Sequence, residues 1–165
     1  MDKKTHTFKK SILKAYDIRG VVDKDLNNVD AYFMGKSYGT FLVEKKKKLC
    51  IVGHDGRYSS KDLTENFIKG LLETGINAIN IGLAMSPMVY WGMYYLNCDC
   101  GMIITASHNP PEYNGFKMLT NDNPVWGDEI QELGRIAESG NFAQGKGKME
   151  QRTIKQEYIK FVLLN

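Results

Sequence analysis

The stretch that decides the fold lies at residues 101–117 and reads G-M-I-I-T-A-S-H-N-P-P-E-Y-N-G-F-K. The apolar run at 102–104 predicts a short buried strand, because the small and polar residues after it cannot continue one. The loop that follows holds a hydroxyl, an imidazole and an amide side by side at Ser107, His108 and Asn109. Because ligands of open α/β sheets bind beyond the carboxyl ends of strands, this serine is placed where it can react.

The residues after the loop predict a return strand. Asn114 and Gly115 are a tight-turn signal, so we expect residues 116–120 to run antiparallel to the preceding strand. That strand would bring Lys117 back beside Ser107.

Elsewhere, short apolar runs alternate with helix-length segments. Residues 49–53 predict a buried strand, and residues 76–82 alternate apolar and polar side chains as an edge strand does. Helices are predicted over four segments: 30–44, 59–74, 86–96 and 128–138. Asp30 and Ser59 are the expected caps of the first two. The alternation predicts an α/β domain, a three-layer α/β/α sandwich with a mixed, mostly parallel sheet.

Four words of the sequence carry a family resemblance. T-A-S-H-N-P at 105–110, followed by N-G-F-K at 114–117, resembles the active-site loop of the α-D-phosphohexomutases, most of all their phosphomannomutase/phosphoglucomutase branch. Y-D-I-R-G at 16–20 resembles a second signature of that family, and G-H-D-G-R at 53–57 fits its G-x-D-x-R word. The resemblance covers nearly all of the chain from Ile12 onward.

The resemblance implies an isomerase of carbohydrate metabolism that interconverts hexose 1-phosphates and 6-phosphates. It implies that Ser107 is a phosphoserine, that a phosphosugar is the substrate and that a hexose 1,6-bisphosphate is the intermediate and activator. It also implies that Arg19 and Lys117 steady phosphate, that Tyr16 lines the site and that Asn109 orients the loop beside the phosphate. Mg²⁺ would bind the phosphate on Ser107 together with carboxylates from outside this chain.

Three residue roles leave alternatives open: the base, Arg19 and Arg57. Removing the proton of the serine hydroxyl needs a base nearby, and His108 and Lys117 are both candidates. Without the resemblance, Arg19 reads as a strand residue that pairs with Asp17 or with solvent. For Arg57 we favour a structural bond to Asp55 or to the neighbouring loop over direct phosphate contact.

Composition excludes several classes of protein. The chain has 165 residues, 42% hydrophobic and 25% charged, which is typical of a single globular domain. Its net charge of +3 is too small to indicate a nucleic-acid partner. No apolar run approaches the ~20 residues that span a bilayer, and the first residues lack the apolar core of a signal peptide, so we expect a cytoplasmic protein without a membrane partner. Three cysteines, at positions 50, 98 and 100, are expected to be reduced and lack zinc-ligand spacing.

The resemblance also predicts the organisation of the chain. We expect a flexible N-terminus at 1–11, phosphohexomutase domain I with the phosphoserine loop at 12–150, and a linker helix at 151–165 that leads toward an absent second domain. The aromatic helix at 86–96 is either core or a contact face for that domain. The acidic metal loop, the sugar-reading loop and the C-terminal domain of the family are absent, so this chain alone is expected to be inactive.

Two other functions compete with the mutase interpretation. A serine hydrolase is disfavoured, because no carboxylate is plausibly spaced to complete a catalytic triad. A non-catalytic phosphosugar-binding or docking module is the stronger alternative if the chain ends at Asn165.

Overall fold

The computed structural model describes residues 4–121 and 123–164, which are built around one sheet of seven strands. The strands are β1 (Ile18–Val21), β2 (Leu49–His54), β3 (Asn77–Leu83), β4 (Cys100–Ile104), β5 (Tyr113–Thr120), β6 (Asn123–Pro124) and β7 (Met149–Gln151). The helices are α1 (Asn28–Glu44), α2 (Ser60–Leu72), α3 (Ser86–Tyr95), α4 (Asp128–Ser139) and α5 (Lys155–Leu164), and a short 3₁₀ turn lies at Lys10–Ile12.

The strand order across the sheet is β1-β5-β4-β2-β3-β7, and β6 pairs with β5. β2 is parallel to both β3 and β4, and β3 is parallel to β7. β5 is antiparallel to β1, β4 and β6. Among the described strands, β5 therefore runs against the other six, which confirms the predicted mixed, mostly parallel sheet.

Helices cover both faces of this sheet, which confirms the three-layer sandwich. One face packs against α1, α2 and α4, and the other packs against α3 and the start of α5. β2 shows how the sequence divides between the layers, because Val52 points into the first core and Ile51 into the second. A strand that is buried on both faces needs the continuous apolar run seen at this position.

The helix starts differ in detail from the sequence prediction. α1 is capped by Asn27 and not by Asp30: the Asn27 side chain accepts hydrogen bonds from the backbone of Val29 and Asp30, and Asp30 accepts one back from the Asn27 N–H at 2.8 Å. This is a capping box, in which Asp30 is the third residue of the helix. Ser59 precedes α2 but makes no side-chain cap bond.

Two predictions about the sheet are wrong. Asn114 and Gly115 do not form a turn; they lie inside β5, where Gly115 pairs with Arg19 of β1. β3 is not an edge strand, because β7 pairs with it. β7 has three exposed residues and no periodic pattern, so its residues carry no strand signal.

The start of the chain also differs from expectation. Within residues 4–11, Phe8 is buried, and the His6 ring stacks on Phe33 with their centroids 4.6 Å apart. His6 also contacts the Asp30 carboxylate at 2.8 Å. These residues are therefore packed against α1 instead of forming a loose terminus. Residues 1–3 and 165, which belong to the predicted end segments, lie outside the described residues.

The predicted linker segment contains α5, none of whose described residues is buried. Its aromatic side chains reach α3, where the Trp91 ring lies 5.4 Å from that of Tyr158 and 5.5 Å from that of Phe161. Within the two described ranges, no helix has the length and apolar content needed to cross a membrane.

Candidate functional site

The site lies at the carboxyl ends of β2 and β4, which are neighbours in the sheet. Asp55 follows β2 and donates its backbone N–H to the Ile104 carbonyl at 3.0 Å. Thr105 follows β4 and donates its backbone N–H to the Gly115 carbonyl at 3.0 Å. The two strand ends thus place the Asp55 carboxylate beside the Thr105 hydroxyl, as expected where parallel strands finish at one edge.

Ser107 is at the exposed tip of the loop that joins β4 to β5. Its backbone has a φ of 56°, the left-handed region that residues with a side chain seldom adopt. The Ser107 N–H donates to the Thr105 hydroxyl oxygen at 2.9 Å, and Ser107 Oγ lies 3.3 Å from His108 Nδ1. The hydroxyl is therefore accessible from solvent, with an imidazole in reach.

Arg57 fixes the backbone of this loop through hydrogen bonds. Its guanidinium donates to four backbone carbonyls, those of Ser107 (3.0 Å), Asn109 (2.6 Å), Pro110 (2.6 Å) and Tyr113 (3.0 Å). Its Nε also donates to Asp55 Oδ2 at 3.1 Å. Arg57 thus makes both structural contacts expected from the sequence, to Asp55 and to the neighbouring loop.

Asp55 is the centre of the hydrogen-bond network under the loop. Its Oδ1 accepts from the Ser60 hydroxyl at 2.5 Å and from the Arg57 N–H at 3.0 Å. Its Oδ2 accepts from the Thr105 hydroxyl at 2.7 Å, in addition to Arg57 Nε. Burial raises the pKa of Asp55, but the hydrogen bonds from Ser60, Thr105 and Arg57 outweigh it and hold the pKa below its ordinary value of 3.8. Asp55 is a carboxylate at neutral pH.

Arg19 reaches the loop from β1. It donates to Asn109 Oδ1 at 2.5 Å and also pairs with the Asp17 carboxylate. Its buried Nε has no hydrogen-bond partner among the described residues. The structure therefore places Arg19 in the site and also shows the pairing with Asp17 that the plain interpretation predicted.

The side chains of two predicted site residues make no hydrogen bond with the serine. Lys117 is half-buried in β5, opposite Ile103 of β4, and no hydrogen bond or ion pair joins its side chain to another described residue. Tyr16 is 78% exposed in the segment before β1. The structure thus brings Ser107, His108, Asn109 and Arg19 together, and among the described residues it shows no side-chain hydrogen bond from Lys117 or Tyr16 to any of them.

The described residues do not form a metal site on their own. They contain no group of three or more His, Cys, Asp or Glu side chains that could hold a metal ion. The two carboxylates of the site are already occupied, Asp17 by Arg19 and Asp55 by Arg57. The three cysteines are free, and burial raises the pKa of Cys50 well above its ordinary value, so that this thiol is not a ready metal ligand.

A cleft of about 930 Å³ opens next to the site but not over Ser107. It lies between the end of β3, the start of α3 and α5, and its lining is mostly apolar, including Leu83, Met85 and Val162. Asp55 and Gly56 form one edge of it. This cleft and the Ser107 hydroxyl are therefore adjacent but separate features.

Sequence reasoning missed the supporting residues of the site. Thr105 belongs to the T-A-S-H-N-P stretch, but the sequence indicates no role for it, and it indicates Asp55 only as a partner of Arg57. Asn114 is fully buried and donates to the hydroxyls of Ser59 and Ser60 at 2.8 and 2.9 Å. The signal for this network was present in the two strand exits, but linking them requires knowing that β2 and β4 are neighbours.

Residues 10–144 match the family model described as phosphoglucomutase/phosphomannomutase, alpha/beta/alpha domain I. The chain belongs to this family. It is 39% identical over 155 residues to a phosphoglucomutase of Neisseria meningitidis serogroup B, which covers 93% of this chain and 34% of the relative. It is 36% identical over 157 residues to a phosphomannomutase/phosphoglucomutase of Pseudomonas aeruginosa, with 95% and 34% covered.

Solved structures of the phosphoglucomutase/phosphomannomutase family agree with this membership. A family protein from Burkholderia thailandensis superposes with a TM-score of 0.90 at 30% identity, covering 96% of this chain and 36% of that one. The chain therefore spans about a third of the length of the relatives that it matches.

Proposed function

We propose that the chain is the first domain of a phosphohexomutase that interconverts hexose 1-phosphates and 6-phosphates through a phosphoryl group on Ser107. The observation that carries the proposal is the exposed Ser107 hydroxyl in a chain that belongs to this family. It lies at the tip of a loop whose backbone is held by hydrogen bonds with Thr105 and Arg57. The names of the relatives favour glucose and mannose phosphates as substrates.

The proposed step is a phosphoryl exchange between the serine and a sugar hydroxyl. Ser107 Oγ accepts the phosphoryl group of a hexose 1,6-bisphosphate: the bond from phosphorus to Oγ forms, and the bond from phosphorus to the sugar oxygen breaks. The serine hydroxyl loses its proton, and the departing sugar oxygen gains one. In the reverse direction, the phosphoserine donates to a hexose monophosphate, and the sugar turns over in the site between the two transfers.

His108 is the residue that we favour as the holder of the serine proton. Its Nδ1 lies 3.3 Å from Ser107 Oγ, close to hydrogen-bond distance, and such contacts commonly shorten when substrate is bound. Lys117 makes no hydrogen bond with Ser107, so we assign it a supporting electrostatic role at most.

Arg19 supplies positive charge to the phosphate in this proposal. Phosphoryl transfer depends mainly on in-line positioning and on stabilising charge around the transferred group. The contact with Asn109 brings the Arg19 guanidinium to the loop that carries the serine, and Asn109 thereby orients both. Tyr16, exposed beside β1, is available to a sugar from solvent.

Mg²⁺ belongs to the proposal only in part. When bound, it would offset the charge of the phosphorylated Ser107, which carries about −1.5 to −2 at neutral pH. The described residues offer it no carboxylate cluster, so its remaining ligands would come from outside this chain.

The proposal includes a second domain packed beside α5. The last turns of α5 expose Val162, Leu163 and Leu164, which are 53%, 78% and 83% exposed. Apolar side chains this exposed on one helix favour cover by another part of the enzyme. We also propose a cytoplasmic location, which the three free cysteines support.

Substitution of the serine tests the function directly. Ser107→Ala in the full-length protein is expected to abolish turnover of glucose 1-phosphate while leaving its affinity largely intact, since the alanine removes only the acceptor oxygen. Ser11→Ala, at another exposed serine, is the matched control and is expected to retain wild-type turnover. Turnover that persists in Ser107→Ala would refute the phosphoserine role. A wild-type protein that binds the sugar phosphate without turnover would favour the binding-module interpretation instead.

A further inference from the structure

The backbone of Ser107 is bonded at both of its polar groups by one connected network. Its N–H donates to the Thr105 hydroxyl at 2.9 Å, and its carbonyl accepts from Arg57 at 3.0 Å. Thr105 and Arg57 in turn both donate to Oδ2 of Asp55, at 2.7 and 3.1 Å. A single carboxylate oxygen thus connects the residues that hold the serine on each side.

The ionised carboxylate also fixes the direction of each hydrogen bond. A carboxylate can only accept, so the single proton of the Thr105 hydroxyl must point toward Asp55. The lone pairs of that hydroxyl are then left for the Ser107 N–H. The same reasoning applies on the other side, where Ser60 donates to Asp55 and accepts from the Asn114 amide at 2.9 Å. The network therefore has one arrangement of protons.

The conformation of Ser107 explains why such a network is needed. Its φ of 56° is unfavourable for a residue with a side chain, and such residues persist only where their surroundings impose the geometry. Turning this residue back to a right-handed or extended conformation would rotate Oγ relative to the loop. The bonds from Thr105 and Arg57 oppose that rotation.

We propose that Asp55 is the positioning residue of the Ser107 loop: through the Thr105 hydroxyl and the Arg57 guanidinium, it fixes the serine backbone so that Oγ faces the incoming phosphoryl group. This inference rests on the proposed role of Ser107 as phosphoryl acceptor. Asp55, Thr105 and Arg57 would then affect the rate of phosphoryl transfer through the geometry of Ser107, without contacting the substrate or changing its affinity.

Thr105 gives the sharpest test, because valine keeps its shape and serine keeps its hydroxyl. In the full-length protein, Thr105→Val is expected to slow phosphorylation of Ser107 by glucose 1,6-bisphosphate by about ten- to a hundredfold, the usual cost of a misplaced reacting group. KM for the bisphosphate should change little, because the substrate contacts remain. Thr105→Ser is expected to stay within about threefold of the wild-type rate, because its hydroxyl restores both hydrogen bonds.

Thr40 provides a matched control far from the loop. Its buried hydroxyl donates to the Lys36 carbonyl at 2.8 Å and accepts from the Ala143 N–H at 3.0 Å, the same kind of bridge that Thr105 makes. Thr40→Val should increase hydrogen exchange of the Ala143 amide but leave phosphorylation of Ser107 unchanged. Thr105→Val should instead increase exchange of the Ser107 amide, measured by NMR.

Asp55→Asn is the second variant, should Thr105→Val not fold. An amide accepts only at its oxygen, so it cannot receive all four hydrogen bonds, and it is expected to slow phosphorylation at an unchanged KM. The inference is overturned if Thr105→Val phosphorylates Ser107 as fast as Thr40→Val, in which case the mutase proposal still stands.

A wild-type protein that takes up no phosphoryl group would refute the mutase proposal instead. In that case, hydrogen exchange of the Ser107 amide still tests whether the Thr105 hydroxyl holds the Ser107 backbone. Equal exposure of the Ser107 amide in Thr105→Val and Thr105→Ser would contradict it, and faster exchange in Thr105→Val alone would support it.

Discussion

Gly115 links the stability of the sheet to the geometry of the site. It lies in β5 opposite Arg19 of β1, and a Cβ added there would lie 2.0 Å from the Ile18 carbonyl oxygen and 3.1 Å from the Arg19 Cα. An ordinary carbon-to-oxygen contact is about 3.3 Å, so Gly115→Ala must push β1 away from β5 by about 1 Å. Both obstructing atoms belong to the backbone and cannot rotate aside.

The expected cost follows from these distances. Forcing an extra carbon into a closely packed region costs about 1–3 kcal/mol. Replacing glycine restricts the unfolded chain, which offsets about 0.4–1 kcal/mol of that cost. Because the added carbon would meet rigid backbone, the upper end of the first range applies, and we expect Gly115→Ala to lower the free energy of unfolding by about 2 kcal/mol. Because β1 carries Arg19, the same displacement should weaken the contact between Arg19 and Asn109.

Urea unfolding followed by circular dichroism measures this effect in the 165-residue chain. Gly56→Ala is the matched control, since the added Cβ would meet only the Leu83 side chain at an ordinary distance of 3.8 Å. The control is expected to be as stable as the wild type or slightly more stable. Equal unfolding free energies for the two variants would refute the claim that strand contact requires the glycine.

Two further predictions concern acid stability and the activity of the chain alone. Because the folded pKa of Asp55 lies below its ordinary value of 3.8, the carboxylate stabilises the fold above that value, and its contribution is lost as the pH falls through the folded pKa. The stability difference between wild type and Asp55→Asn should therefore be largest above about pH 4 and shrink below it, as measured by urea midpoints across pH; a constant difference would contradict this. The 165-residue chain by itself should convert glucose 1-phosphate to glucose 6-phosphate at no more than the background rate in a dehydrogenase-coupled assay, because residues 4–121 and 123–164 offer no carboxylate cluster for Mg²⁺. Turnover by this chain would show that no further domain is required.

The sequence predicted the layers of the fold because they depend on local patterns. Apolar runs at β2 and β4, separated by helix-length segments, are sufficient to indicate a two-sided α/β sheet. β7 could not be found this way, because its three exposed residues make a strand only by pairing with β3. The packing of Phe8 was missed for a similar reason, since one apolar residue in a polar segment shows no periodicity.

The site residues also differ in whether local sequence was sufficient to predict them. The loop word indicated Ser107, His108 and Asn109, because these residues are adjacent in sequence. The Asn-Gly pair at 114–115 was misread as a turn, because the two residues that favour turns also serve a buried amide network and a close strand contact. The G-x-D-x-R word marks Asp55 but does not show its role, because its four hydrogen bonds depend on the neighbouring strand ends and on the start of α2.

The position of the phosphoryl group tests the central claim most directly. Intact-mass analysis of the full-length protein after incubation with glucose 1,6-bisphosphate, followed by peptide mapping, would show which residue is modified. The proposed function predicts one added phosphoryl group on Ser107 in the wild type and none in Ser107→Ala. A wild-type protein that remains unmodified, or that carries the phosphoryl group on another residue, would contradict the account.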